Sequence, residues 1–505
     1  MMMGAADWIL LLMYFAAVLF VGLIGGRNEK DSDDYFLGGR KQNWLLVGLS
    51  ILATEVSAAT FLLVPGHAYA EDWWYLQLYA GAFLGKILIA LILLPAFYGH
   101  RVTTVYQYLR ERFGPVTCAT ASLMFFASRI IGSAIRLLAA SLAIAVIFDW
   151  PLAYVVFIGA SIAMAYTVVG GIRSIIYTDA LQAVVLLGAG IAAVLFAYFN
   201  LSVAGIEPLT VLTEAKTRVF HSSQGFNDDR GFWILLVHAS ILTMAAMGVD
   251  QDLTQRMLTC PDLSRARKSL LLNAVLGWPV PAMFLLIGSL IYVTQQQMPH
   301  ESLGAAGRDA VFATYISAIV PAGFGIKGIL VAGIFAAAMS SLDSALGAMS
   351  SSAVTDFYRP YFRRNASERE YLAAARVFAF FFGVVLAGVA LLFQDSGDLL
   401  EEAFGFASLV FGGMLGVFVL GAVTRERGSD RSCFLGLITS VMVLTEIKTG
   451  AVAGMAGVPD HAIGVEIAWP WWVVIGAAWS FTVGAIARTP DNRVRRSVVV
   501  GSSAD

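Results

Sequence analysis

Residues 45–66 read LLVGLSILATEVSAATFLLVPG, an apolar stretch that is long enough to cross a bilayer as a helix but is polar at its middle. Its polar residues are Ser50, Thr54, Glu55, Ser57 and Thr60, and Pro65 and Gly66 follow them. Polar groups inside a membrane are costly, so they mark functional sites by default. The stretch therefore predicts a helix that is broken near the midplane, with freed carbonyls facing a cavity. Ordinary packing of Ser and Thr between helices is the alternative.

A second stretch with polar residues at membrane depth is 336–352, AAAMSSLDSALGAMSSS. Ser340, Ser341, Asp343 and Ser344 fall within about one and a half helical turns. Hydroxyl and carboxylate oxygens are hard ligands, which suit a hard cation such as sodium. The alternative is a face of small residues that packs against another helix.

The third such stretch is 170–182, GGIRSIIYTDALQ. It places Asp179 about one turn inside an apolar segment, near the predicted cytoplasmic surface. The carboxylate is either functional or a charge that is stabilised by the positive end of the helix dipole.

The composition supports membrane insertion of these stretches. Of 505 residues, 58% are hydrophobic and 13% charged, whereas soluble domains carry about a quarter charged residues. The net charge of −2 provides no basic field for nucleic acid. The sequence shows no nucleophile–base pair and no metal-ligand set, so we predict that the protein is not an enzyme.

About 13 apolar stretches are long enough to span a membrane. They are 6–25, 44–66, 75–98, 119–147, 152–170, 176–199, 232–249, 270–293, 326–352, 372–393, 402–423, 431–447 and 469–487. We therefore predict an all-α polytopic membrane protein, with a single transmembrane domain over 1–488 and a basic cytoplasmic tail over 489–505.

Lys and Arg residues concentrate in alternate loops, as positive charges do on the cytoplasmic side. The seventh loop, for example, contains Arg256, Arg265, Arg267 and Lys268. This alternation predicts a multi-pass protein of the cell inner membrane with its N-terminus outside and its C-terminus in the cytoplasm.

Four further charges fall inside apolar stretches. Arg129 and Arg136 are seven residues apart, so they share one face of the fourth stretch. They either pair with a buried carboxylate or meet an anionic substrate. Glu55 and Lys86 are the other two, and the sequence assigns them no partner.

Several motifs occur together in order. They are DYFLGGR at 34–40 with Trp44, the broken stretch itself, GGIRSIIYTDALQ, DQDLTQR at 250–256, and SSLDS at 340–344 followed by residues 355–358. Over about residues 7–445 the chain thereby resembles the sodium/solute symporter family. Members of that family carry sugars, sialic acid, proline, iodide, pantothenate and monocarboxylates.

The resemblance implies a LeuT-type core of two inverted repeats of five helices, here about 44–199 and 232–423. It also implies a sodium site formed by the carbonyls of Ala53, Val56 and Ala337 and the hydroxyls of Ser340 and Ser341. Some members bind a second sodium ion, and the matching positions are Asp179, Ser340, Asp343 and Ser344. Asp179 matches a carboxylate on the exit path of the ion, and Asp343 replaces a hydroxyl of the sialic acid carrier.

The resemblance also implies where the solute binds. Ser57 and Thr60, with Arg129 or Arg136, match the groups that hold the carboxylate of sialic acid. In sugar carriers, amide and carboxylate side chains bind the hydroxyl groups of the sugar. The positions that match these side chains are Thr60 and Tyr79 here, so this chain lacks those sugar-binding groups. We therefore hypothesise an organic anion, either sialic acid or a simpler carboxylate, with a neutral sugar as the alternative.

The expected mechanism is sodium-coupled symport of a small polar solute by alternating access. Proton coupling through Asp343 or Glu55 is a rival within transport. A membrane receptor is a rival of another class, but we expect no signalling domain beyond Asp505.

Overall fold

The computed structural model describes residues 3–26, 29, 31–223, 225, 228–394, 399–449 and 467–490. Within these ranges the ordered elements are helices, and extended pairing is limited to an isolated bridge between Arg427 and Arg488. The predicted all-α architecture is confirmed. The predicted basic tail, apart from its first two residues, lies outside the described residues.

The helices up to the middle of the chain are α1 (Ala5–Gly25), α2 (Ser32–Leu37), α3 (Trp44–Glu55), α4 (Ala58–Ala70), α5 (Gln77–Leu88), α6 (Leu94–His100), α7 (Val105–Arg112), α8 (Pro115–Phe148), α9 (Leu152–Val203) and α10 (Pro208–Val211). The remaining helices are α11 (Phe232–Gly248), α12 (Gln251–Leu258), α13 (Leu263–Leu276), α14 (Pro279–Gln297), α15 (Glu301–Gly304), α16 (Val311–Ala318), α17 (Ile326–Ser352), α18 (Glu368–Leu392), α19 (Leu399–Val423), α20 (Asp430–Thr449) and α21 (Pro470–Ala485). A π-helical segment, Ile89–Leu93, joins α5 to α6, and another, Ala353–Phe362, continues α17.

Length and hydropathy identify seven helical units as membrane spans, and two bent helix pairs raise the number to nine, over the part of the chain that is described. The predicted count of about 13 spans is therefore not confirmed, although each predicted stretch falls on a helix. One reason is that 152–170 and 176–199 both lie in α9, which counts once. Another is that α20, α21 and the segment Leu409–Val423 of α19 are not counted as spans.

The long helix α9 is kinked at Gly171, where φ is 51° and ψ is −161°. Only glycine adopts this backbone conformation readily. A Cβ atom at this position would also lie 2.6 Å from the carbonyl oxygen of Tyr35. The kink separates the two predicted spans and starts the helical segment that carries Asp179.

The centre of the protein is α17, which packs against α9, α8, α1 and α18. All but three of its 27 residues are buried. Its serines and Asp343 must therefore find polar partners inside the protein, because buried polar groups without partners are costly. This placement makes α17 the helix from which a buried site is built.

The outer surface is apolar over large areas. Leu12, Phe20, Phe157, Val184 and Phe380 are each more than half exposed. Contiguous exposed apolar surface is unfavourable in water but is what a lipid bilayer requires. The surface therefore agrees with the membrane location inferred from composition.

Candidate functional site

The predicted helix break lies at Val56 and Ser57. The segments on its two sides, Trp44–Glu55 and Thr60–Ala70, are bent by 54° relative to each other. Backbone ψ is 77° at Val56 and 173° at Ser57, so neither residue is helical. The Ser57 N–H donates to the Glu55 carbonyl at 3.0 Å. Because the helix does not continue, the last carbonyls of α3 lack intrahelical donors and can bind other partners.

Ser340 and Ser341 of α17 meet this break. The Ser340 hydroxyl donates to the Ala53 carbonyl at 2.9 Å and lies 3.3 Å from the Ala337 carbonyl. The Ser341 hydroxyl lies 3.3 Å from the same Ala337 oxygen. Four of the five oxygens predicted to bind sodium therefore form one contiguous buried group, and Val56 is buried at the adjacent break.

These oxygens suit an alkali cation. The group contains hydroxyls and backbone carbonyls but no ionised side chain, which fits a hard monovalent ion. Each hydroxyl would turn its proton away from the carbonyl and present a lone pair to the ion. Over the described ranges, no cluster of three or more His, Cys, Asp or Glu residues is suited to hold a metal ion.

Asp179 lies on α9 beside the first site. Its Oδ2 atom accepts from the Ser50 hydroxyl at 2.6 Å and pairs with Arg256 at 2.8 Å. Its Oδ1 atom is buried and has no hydrogen-bond partner among the described residues. This carboxylate therefore retains an acceptor for a further ligand.

Asp343 is the second buried carboxylate near this point. Its Oδ2 atom accepts from the Tyr166 hydroxyl at 2.6 Å, and its Oδ1 atom lies 3.2 Å from the Ser344 hydroxyl. Ser344 also contacts Arg256 and the Ser340 carbonyl. The four residues predicted for a second sodium site are thus connected through Ser344 and Arg256.

Arg256 was not predicted as a site residue, since its sequence position indicated a cytoplasmic loop. The structure shows that it is 1% exposed and that it holds Asp179 and Asp252, the latter at 2.6 Å. It reaches this position because α12 bends by 65° from α11 and turns back into the protein. The DQDLTQR motif was the signal that could have identified it.

The two arginines of α8 have different environments. Arg129 Nη2 lies 2.9 Å from Asp250 and 2.8 Å from Asp252, so it forms a buried structural pair. Arg136 has no ion-pair partner among the described residues. Arg129 thus matches the structural alternative, and Arg136 remains available for an anion.

A cavity of about 600 Å³ extends from the helix break to loops that the sequence places outside the membrane. All five residues predicted to contact the solute line it, namely Ser57, Thr60, Tyr79, Arg129 and Arg136. At its outer end Glu71 pairs with Arg230 at 3.0 Å and with Arg308 at 3.5 Å. Among the described residues, the cavity therefore combines the cationic side chain of Arg136, which has no ion-pair partner there, with hydroxyl groups and a charged rim.

Glu55 and Lys86 are partners. The Lys86 Nζ atom lies 2.9 Å from both carboxylate oxygens of Glu55. Lys86 is buried, whereas Glu55 lines the cavity. Residues 31 positions apart on two helices thereby form a contact that the sequence did not indicate.

Comparison with known proteins agrees with this architecture. The model of the sodium:solute symporter family matches residues 35–440. The sodium/sialic acid symporter SiaT of Proteus mirabilis (strain HI4320) is 27% identical over 459 residues, which are 89% of this chain and 90% of that protein. The sodium/sialic acid symporter NanT of Aliivibrio fischeri (strain ATCC 700601 / ES114) is 28% identical over 458 residues, which are 88% of each chain.

A solved structure of a Na+-coupled sialic acid symporter, substrate-bound and outward-open, superposes with a TM-score of 0.84 at 25% identity. The match covers 96% of this chain and 97% of that one. The predicted LeuT-type fold is thereby confirmed, and with it the multi-pass membrane location. A family match over most of the chain and a shared fold along nearly its full length establish that this chain belongs to the sodium:solute symporter family, whose members couple sodium to the transport of a small solute.

Proposed function

We propose that the solute of this sodium-coupled symporter is an organic anion, with sialic acid as the first candidate. The observation that carries the proposal is the Arg136 guanidinium in the wall of the cavity, for which the described part of the chain provides no ion-pair partner. A guanidinium fork binds a carboxylate through two parallel hydrogen bonds. Ser57 and Thr60 line the same cavity and supply hydroxyl donors. The similar proteins SiaT and NanT are named sodium/sialic acid symporters, which supports the same choice of solute.

Sodium occupies the oxygens of Ala53, Val56, Ala337, Ser340 and Ser341 in this proposal. The contacts of Ser340 with Ala53 and Ala337 support it. Sodium in that position would join the two halves of the broken helix to α17. It would thereby favour the conformation in which the cavity accepts solute.

A second cation fits beside Asp179, Asp343, Ser340 and Ser344. Over the described residues, the connected buried network contains four carboxylates, those of Asp179, Asp250, Asp252 and Asp343, and two guanidiniums, those of Arg129 and Arg256. Uncompensated charge is costly in a protein interior, so the excess of negative charge favours binding of cations.

Transport proceeds by alternating access across the inner membrane, with the N-terminus outside and the C-terminus inside. The transporter occupies residues 1–488 as one domain, with its two repeats at 44–199 and 232–423, and it performs no enzymatic reaction. Each sodium ion that moves inward contributes about 2.3 kcal/mol per 100 mV of membrane potential.

Proton coupling through Asp343 is the second candidate. Asp343 binds a tyrosine and a serine hydroxyl but pairs with no basic side chain among the described residues. Such a carboxylate can carry a proton instead of binding sodium. Glu55 is the weaker proton carrier, since both of its oxygens are held by Lys86.

Uptake of N-acetylneuraminic acid, the common sialic acid, into proteoliposomes tests the proposal. We expect uptake with external sodium and none when potassium replaces it at constant pH. The Arg136→Gln variant should lose uptake by at least tenfold, because a charge-assisted bidentate contact is lost. Its sodium-induced rise in thermal stability should persist.

Arg265→Gln is the matched control, because Arg265 is half-exposed and, within the described ranges, forms one loose ion pair, with Asp262 at 3.5 Å. It should transport like the wild type. Uptake that survives in Arg136→Gln would argue against an anionic solute and favour the neutral sugar. Uptake driven by a pH gradient without sodium would identify proton coupling.

A further inference from the structure

The ion pair of Glu55 and Lys86 has no role in the sodium or carboxylate sites described above. Glu55 ends α3 immediately before the helix break, and Lys86 lies on α5. The lysine side chain is 1% exposed and the glutamate side chain 21%. Only the glutamate lines the cavity. The pair therefore presents a carboxylate, and not an ammonium group, to the solute.

Stability does not explain this arrangement. The desolvation of two charges offsets most of their attraction, and apolar side chains of similar volume stabilise a buried position as well or better. The wall around the pair already contains apolar residues such as Leu78 and Ala82. An ion pair in this wall is therefore expected to serve recognition.

Glu55 keeps unused hydrogen-bonding capacity. An ionised carboxylate has about four lone-pair positions for acceptors. Lys86 engages one position on each oxygen, and no other described residue donates to this side chain. Because Lys86 also compensates the charge, the remaining positions suit a neutral donor such as a hydroxyl group.

We infer that Glu55, oriented and neutralised by Lys86, accepts a hydrogen bond from a hydroxyl group of the solute while Arg136 binds the carboxylate of that solute. The inference rests on the proposed function and narrows the solute to a hydroxylated organic anion. In sugar carriers, an amide and a carboxylate side chain bind the hydroxyl groups of the solute, but the matching residues here, Thr60 and Tyr79, have neither group. Glu55, which lies at the helix break and lines the same cavity, supplies a carboxylate instead.

A thermodynamic cycle, in which one change removes a hydroxyl group of the solute and the other replaces the ion pair of the protein, tests the inference. The probes are N-acetylneuraminic acid and analogues that each lack one of its hydroxyl groups, measured as competitors of sodium-driven uptake. The variant is Glu55→Leu/Lys86→Met, which replaces both charges with apolar groups of similar size. Its thermal stabilisation by sodium checks that it is folded.

In the wild type, we expect loss of one particular hydroxyl to weaken apparent affinity roughly tenfold to a hundredfold, as for a hydrogen bond to a charged group. In the double variant the same loss should change affinity less than about twofold. Glu55→Asp, which keeps the charge but withdraws it by one methylene, should reduce the same difference and serves if the double variant does not fold. Glu214→Gln, at an exposed position outside the lining of the cavity, is the matched control and should behave as the wild type.

Two failures are distinguishable. Suppose that the wild type transports N-acetylneuraminic acid, but that removal of each hydroxyl group weakens the apparent affinity equally in the wild type and in the Glu55 variants. The pair is then structural and the inference is wrong. If the wild type does not transport this compound in sodium, the proposed solute is wrong, and the inference that depends on it is overturned as well.

Discussion

Ser340→Ala removes one predicted oxygen ligand from the sodium site. In the structure, the Ser340 hydroxyl lies 2.9 Å from the Ala53 carbonyl and 3.3 Å from the Ala337 carbonyl. A hydrogen-bonding group that contacts a full charge contributes about 1.5–3 kcal/mol. Because about 1.4 kcal/mol corresponds to a factor of ten, the sodium concentration for half-maximal uptake should rise roughly tenfold to a hundredfold.

The substitution also has a cost in stability that is independent of sodium. The Ala53 carbonyl loses its hydroxyl donor, and an unsatisfied buried acceptor costs about 1–3 kcal/mol. Ser350→Ala is a matched control on the same helix, because the buried Ser350 hydroxyl donates to the Ala375 carbonyl at 2.7 Å. Both variants should therefore be less stable than the wild type in the absence of sodium.

The assay is a sodium titration of thermal stability and of solute uptake, with choline replacing sodium at constant ionic strength. Stabilisation by a ligand follows mass action, so a weaker site shifts the titration curve to higher sodium concentration. The reasoning would be refuted if Ser340→Ala kept the wild-type half-saturation, or if Ser350→Ala shifted it by the same factor.

Three further predictions concern the charged residues. Arg129→Met leaves the buried Asp250 without its arginine and removes one of the two arginines that hold Asp252, so it should destabilise the protein by about 3–5 kcal/mol, visible as poor recovery of folded protein; a melting temperature equal to that of the wild type would contradict the pairing. Asp343→Asn should make the dependence of uptake on sodium less sigmoidal while uptake still requires sodium; if the variant instead abolishes only a dependence on the pH gradient, Asp343 carries a proton. Burial raises the pKa of Glu29, in the loop after α1, from about 4.5 to about 8. The folded state then binds more protons than the unfolded state between these pH values, so stability should fall with rising pH by at most about 1.4 kcal/mol per unit. Glu29→Gln should remove this fall, and its gain in melting temperature over the wild type should grow from pH 5 to pH 8.5; a gain that does not vary with pH would show that Glu29 is not protonated by folding.

Local features of the chain were sufficient to predict the membrane class, the helical stretches and the broken helix. Hydropathy over about 20 residues and polar groups within one turn are properties of neighbouring residues, and a bilayer forces the backbone of such stretches into helices. For this reason the sequence predicts the break at Val56 and Ser57 and the clustering of Ser340 with Ser341. The predicted number of about 13 spans is not confirmed, and the stretches 152–170 and 176–199 lie on the two arms of α9, on either side of the kink at Gly171.

The partners of the buried charges were decided only by the tertiary structure. Arg256 pairs with Asp179 across 77 positions, and Lys86 pairs with Glu55 across 31. Hydropathy and charge patterns contain no information about which distant helices come into contact, so the sequence predicts a loop position for Arg256 and assigns Lys86 no partner. The same limit applied to α8, where the sequence places Arg129 and Arg136 on one helix face. The two aspartates that follow the bend after α11 engage Arg129, whereas Arg136 borders the cavity. A charge in a low-dielectric interior is costly without an opposite charge nearby, and only the tertiary structure decides which of the two arginines receives one.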